Sequence, residues 1–140
     1  MTQEDKELLL KDICARLPYD VKVSCNDKVY NFNGIQYFNI CTLTDDNENN
    51  AFTTAGIKYI KPYLFPMSSM TEEQEEELKN IYYSFNGMFH YTERIFDRIP
   101  FSKMKYFPYQ IEEFFNKNHI DYRGLIPKGL ANDATGLNIY

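Results

Sequence analysis

Residues 21–35 read Val21-Lys22-Val23-Ser24-Cys25-Asn26-Asp27-Lys28-Val29-Tyr30-Asn31-Phe32-Asn33-Gly34-Ile35. Their alternation of apolar and polar side chains has a period of two. That places Val21, Val23 and Cys25 on one face of a strand and Lys22 and Ser24 on the other. Asn26-Asp27 supplies a turn, and Val29, Tyr30 and Phe32 continue as a second short strand. Asn33-Gly34 carries the strongest local signal, because both residues accept the positive φ that a type I′ hairpin requires. A third strand is expected from Ile35 to Leu43, followed by a polar loop over 44–50 (TDDNENN). Further β segments are expected at Phe52 to Thr54 and at Ile57 to Ile60, separated by Ala55-Gly56. Residues 20–61 then form a small antiparallel β meander or a partly closed barrel.

Helices flank this region. Thr2 with Asp5 resembles a capping box. Leu9, Leu10, Ile13, Cys14 and Leu17 recur at spacings of three and four until Pro18 stops the helix. Pro62 and Pro66 bracket Tyr63-Leu64-Phe65 as an ordered connector. Ser69 with Glu72, or Thr71 with Gln74, then caps a long helix whose acidic start suits the positive end of its dipole. Its apolar stripe runs through Leu78, Ile81, Tyr82, Phe85, Met88, Phe89, Ile95, Phe96 and Ile99 to Pro100, with Gly87 as a kink or close-packing point. A shorter helix after Pro108 places Ile111, Phe114 and Phe115 on one face, and residues 120–129 dock on the body. The expected class is α+β: an N-terminal helix, the meander or partly closed barrel, a long helix and a shorter C-terminal helix. All of it lies in a single domain, residues 1–140, with an α/β-meander lobe at 1–66 and a helical lobe at 67–140.

Composition sets the outer bounds. The 140 residues are 44% hydrophobic and 25% charged, as in ordinary soluble domains. Twelve Tyr and eleven Phe make 16% of the chain aromatic, which excludes disorder. No apolar run approaches the ~20 residues of a membrane-spanning helix. Fifteen basic and twenty acidic side chains leave a net charge of −5, with the basic residues scattered. Duplex nucleic acid is disfavoured as a partner, because phosphate neutralisation needs a clustered basic surface. Cys14, Cys25 and Cys41 form no C-x-x-C pair and fit a reducing compartment. The acidic, helical start is not a signal peptide, so the expected location is cytoplasmic.

Catalytic and metal patterns are thin. His90 and His119 stand far apart, and there is no G-x-S-x-G elbow. His90 lies between aromatics in a helix, and His119 lies at a helix C-terminus, where the dipole favours imidazolium. Asp45-x-Asn47-x-Asn49 imitates the opening of a calcium loop. However, Asn50 stands where such a loop needs Gly and Gly56 where it needs Glu. The glutamates at 72–77 are a solvated helix start, and the six glycines form no phosphate-cradling loop. No cofactor, metal site or catalytic residue is therefore expected.

Two basic-aromatic clusters remain: Lys58-Tyr59-Ile60-Lys61-Pro62-Tyr63 and Asp121-Tyr122-Arg123-Gly124. Tyr beside Lys or Arg can stack a base while the cation pairs with a phosphate. Lys61, Tyr63, Tyr122, Arg123 and Tyr59 are accordingly the candidate ligand contacts. The competing reading is that the tyrosines are core or seam residues beside snorkelling lysines. Tyr59, Tyr63, Phe65, Tyr106, Phe107, Tyr109 and Tyr122 fall outside the helix stripes, and a ligand, partner or sister subunit is expected to touch them.

Residues 4–19 (EDKELLLKDICARLPY) resemble the start of a large group of small uncharacterised proteins encoded by gut Bacteroides and their phages and prophages. Residues 60–64 (IKPYL), 67–73 (MSSMTEE) and 119–131 (HIDYRGLIPKGLA) look like that group's other recurring stretches, in matching order. Phe65 stands where the group often has Arg before Pro66. The resemblance implies a phage or prophage accessory gene, and carries over no catalytic or binding residue. Proteins of that origin often act against bacterial immunity. The first functional expectation is therefore a non-catalytic protein that binds and sequesters a host-defence component, with a nucleotide immune signal among the candidates. The second is an interaction module that masks a host enzyme, which requires an exposed apolar patch or an open β edge. The third is a small phosphoesterase. Homo-oligomerisation fits all three, since the aromatics exceed what one small core needs.

Overall fold

A computed structural model describes residues 1–45, 52–85 and 109–140. Helix α1 spans Gln3–Ala15 and starts on the expected reciprocal cap. The Asp5 amide donates to Thr2 Oγ1 at 3.1 Å, and the Thr2 amide donates to Asp5 Oδ2 at 3.3 Å. Strands β1 (Lys22–Cys25), β2 (Lys28–Gln36), β3 (Ile40–Thr44) and β4 (Phe52–Gly56) form an antiparallel meander. Strand β5 (Lys61–Leu64) joins antiparallel to β1, and the two-residue β6 (Asn132–Asp133) joins parallel to β5. Helices α2 (Glu72–Phe85) and α3 (Tyr109–Lys117) complete the described elements.

The sheet is mixed and open, in the order β4-β3-β2-β1-β5-β6. The partly closed barrel is thus corrected to an open sheet. Closing it would require β4 to pair with the far side, and β6 is only two residues long. Its inner face is filled by helix instead. Leu9 and Ile13 of α1 pack with Val23, Phe32, Cys41 and Leu43 of the sheet, together with Leu125 and Leu130 from the C-terminal segment. A second cluster joins Leu78 of α2 to Ile111, Phe114 and Phe115 of α3, with Ile120 and Tyr122.

The hairpin turn does not fall at Asn33-Gly34. It falls at Asn26-Asp27, where φ is 49° and 62°, between the paired residues Cys25 and Lys28. Asn33-Gly34 lies inside β2, where the register with β3 shifts between Phe32 and Gly34. This is a β-bulge, and Gly34 takes φ 143° there. One additional residue reverses the alternation, so Phe32 and Ile35 both reach the inner core despite their odd spacing. The expected third strand is accordingly split: residues 28–36 belong to β2, and a 3₁₀ turn at Tyr37–Asn39 leads into β3.

Two further boundaries move. Ile57–Tyr59 is a 3₁₀ turn rather than a strand, and the strand is Lys61–Leu64, overlapping the expected connector at Tyr63 and Leu64. Pro62 is tolerated there at the short β1–β5 pairing, opposite Val23. On α2 the cap is Thr71 with Gln74: the Gln74 amide donates to Thr71 Oγ1 at 3.2 Å and the Thr71 amide to Gln74 Oε1 at 3.0 Å. Ser69 Oγ donates instead to the Pro66 carbonyl at 2.7 Å. The expected stripe from Met88 to Ile99, the Gly87 kink, His90, Tyr106, Phe107 and the polar loop after Asp45 lie outside the described residues. None of the described helices is long and apolar enough to cross a membrane.

Candidate functional site

Chain order and buried charge meet at the inner side of α1. Its buried positions are Leu9, Asp12 and Ile13, with Arg16 just beyond the helix end. Cys14 is exposed and Leu17 is 39% exposed, so the stripe is displaced from the apolar residues alone. Asp12 and Arg16 are both fully buried. Arg16 Nε donates to Asp12 Oδ2 at 2.8 Å and Nη2 to Oδ1 at 2.9 Å. The same guanidinium donates to the carbonyls of Phe115 at 3.3 Å and Ile120 at 2.9 Å. A cation thereby adds a second donor to carbonyls at and just beyond the end of α3, where the helix dipole favours positive charge. Sequence reasoning missed this pair. The available signal was opposite charges four apart on the stripe of Leu9 and Ile13.

Arg123 joins the same cluster. Its Nη1 donates to Asp12 Oδ1 at 3.0 Å, and its Nη2 stands 3.9 Å from Glu112 Oε2. The Arg123 guanidinium lies 4.4 Å from the Tyr122 ring centroid. Phe115 stacks on Tyr122 at 5.0 Å with 19° between planes. Tyr122 is buried, which pushes its hydroxyl up to about 12. Tyr122 and Arg123 form part of the wall of a groove of about 380 Å³ that includes Ser68, Asp121 and Gly124. Asp121 Oδ1 and Oδ2 accept the amides of Leu125 and Ile126, each at 2.8 Å.

The other candidate residues lie elsewhere. Lys61 and Tyr63 alternate with buried Pro62 and Leu64 along β5, so they stand on the outer face of the sheet. Tyr63 is half-buried, and its carbonyl accepts the Tyr140 hydroxyl at 2.7 Å. Tyr59 is 61% exposed, with Lys58 Nζ 4.7 Å from its ring centroid. A groove of about 450 Å³ beside it runs past Lys58, Ile57 and Asn39 to Thr2, Gln3 and Lys6 of α1. Tyr122 and Arg123 are thus brought together; Lys61 and Tyr63 are no part of the wall they form.

His119 departs from its expected charge state. It takes φ 54° at the end of α3, where its amide donates to the Asn116 carbonyl and the Ile120 amide to the Phe115 carbonyl. That is a Schellman closure with His in the position usually held by Gly or Asn. The ring is buried and stacks on Tyr140 at 3.8 Å with 13° between planes. Burial, and then the Arg16 charge, pull its pKa down to about 4, so it is neutral near pH 7. Desolvation outweighs the dipole that favours imidazolium. Cys41 is buried, which raises its thiol to about 11. Among the described residues, no three His, Cys, Asp or Glu side chains come together to hold a metal ion.

Comparisons with protein-family models, with curated proteins and with solved structures find no match.

Proposed function

We propose that this chain is a non-catalytic binding protein that masks a host-defence protein in the cytoplasm, of the phage or prophage accessory kind its sequence resembles. The open edge of the sheet carries the reading. β4 is the terminal strand, and among the described residues it pairs only with β3. Edge strands are normally blunted by charge or proline, because an unpaired ladder recruits other strands. Phe52–Gly56 contains neither. Exposed apolar side chains surround that edge: Phe52 is 75% exposed, Ile40 38% and Tyr37 89%. An extended segment of a partner could add to β4 while its apolar side chains cover Phe52 and Ile40.

The test is affinity capture from a Bacteroides lysate with the natural chain and with Phe52→Asp/Thr54→Lys in parallel. Both positions are exposed, so the variant keeps its fold, checked by circular dichroism. The reading requires a stoichiometric partner held by the natural chain and lost from the variant. Equal recovery by both would overturn it.

The second reading is capture of a nucleotide-like signal, and the groove at Tyr122 and Arg123 favours it. Tyr122 offers little stacking surface there, since Phe115 and Arg123 both lie on its ring. Mass spectrometry of the denatured protein, purified from its host, decides between a bound small molecule and a bound chain.

A further inference from the structure

We propose that the groove walled by residues 66–68 and 121–127 binds the phosphate group of a small molecule through the side-on edge of Arg123. The proposal is independent of the β4 edge.

Arg123 has only 10% of its side chain exposed, so its charge is largely desolvated. A guanidinium offers two nitrogens along its side-on edge, Nε and Nη2, spaced to match two oxygens of an oxyanion. Arg16 uses that edge, Nε and Nη2, on Asp12. Arg123 meets the same carboxylate end-on, through Nη1 alone. Among the described residues its Nε and Nη2 make no hydrogen bond; Glu112 Oε2 stands 3.9 Å from Nη2. That distance is beyond a hydrogen bond.

Two guanidiniums face one buried carboxylate, Asp12, and among the described residues the further acid beside Arg123 is Glu112. Glu112 is 37% exposed, so water screens it and it can turn outward. Asp121 is the acid on the groove wall, and both its oxygens are held by the amides of Leu125 and Ile126. The fork is also held still. Phe115 stacks on Tyr122 at 5.0 Å, and the Arg123 guanidinium lies 4.4 Å from the Tyr122 centroid, which restrains the fork. Preorganised donors lose less entropy on binding. Gly124 at φ 71° places no side chain over the wall, and the exposed Ser68 is another residue of the same lining. Tyr122 acts as a brace for Arg123 in this arrangement, and the ligand is recognised by its phosphate.

The test is a titration of the ¹⁵N-labelled protein with inorganic phosphate, read at the arginine Nε resonances, with sodium acetate as a second arm. Saturable movement of the Arg123 resonance with phosphate, and weaker movement with acetate, is expected. Arg123→Lys keeps the charge and removes the fork, and should weaken binding about tenfold. Glu112→Gln leaves the buried cluster intact and should tighten phosphate severalfold by removing the competing carboxylate. No saturable movement at Arg123, stronger movement with acetate, or a Glu112→Gln variant identical to the natural chain would overturn the proposal. A nucleotide that binds while Arg123 stays silent overturns this site and leaves the sequestration reading standing.

Discussion

Arg16 grips Asp12 one helical turn away with two hydrogen bonds, Nε to Oδ2 at 2.8 Å and Nη2 to Oδ1 at 2.9 Å, and neither side chain touches solvent. The remaining Arg16 donor and the shared Nη2 reach the carbonyls of Phe115 and Ile120. A pair four residues apart near the N-terminus therefore fastens the far end of the chain.

Breaking that pair should be costly, because it strands a charge away from water. Arg16→Met leaves Asp12 with Arg123 alone, and urea unfolding should show a loss of about 3–5 kcal/mol. The double replacement Asp12→Leu/Arg16→Met removes both charges and should be more stable than Arg16→Met by itself. A single variant that loses less than about 1 kcal/mol would place the pair among screened surface ion pairs.

Stability should fall on mild acidification because of His119. Its folded pKa is pulled down to about 4 from the ordinary imidazole value of 6.5, so the unfolded chain binds the proton more tightly. The contribution is fully present above pH 6.5 and is lost as pH falls from there toward 4. At 1.36 kcal/mol per pH unit the whole loss is of order 3 kcal/mol. His119→Asn keeps a residue that tolerates positive φ and should flatten the slope between pH 6.5 and 5, above the carboxylate range. Unfolding free energies of both proteins across that window are the measurement; parallel curves would refute the assignment.

Gly34 should resist substitution for backbone reasons alone. A Cβ there meets nothing within 4 Å, but φ 143° is a region that side chains rarely adopt. Gly34→Ala should cost on the order of 1–3 kcal/mol in urea unfolding. A neutral result would mean that β2 absorbs the bulge at another residue.

The thiols should separate by burial. Cys14 is exposed, whereas Cys25 and Cys41 are buried and Cys41 is raised to about 11. An aromatic disulfide reagent at pH 8 should label Cys14 quickly, and Cys25 and Cys41 only on unfolding. Peptide mapping of the early product checks this, and early label on Cys41 would contradict the packing.

Much of the local structure was legible because its causes are local. The Thr2–Asp5 box, the Thr71–Gln74 cap, the Asn26-Asp27 turn and the alternation of Val21, Val23 and Cys25 each depend on residues within a few positions. The sequence by itself determined an α+β chain with helices flanking a meander, and it singled out Tyr122 and Arg123 as worth attention. Tertiary structure decided where β2 ends, since Asn-Gly serves a hairpin or a bulge equally well. The choice fell to the bulge because Phe32 and Ile35 must share one core. It also decided that the sheet stays open, because α1 and the C-terminal segment fill the face a barrel would enclose. The role of Arg123 was beyond reach for the same reason: its partner Asp12 is 111 residues away, and only packing brings a carboxylate to that guanidinium.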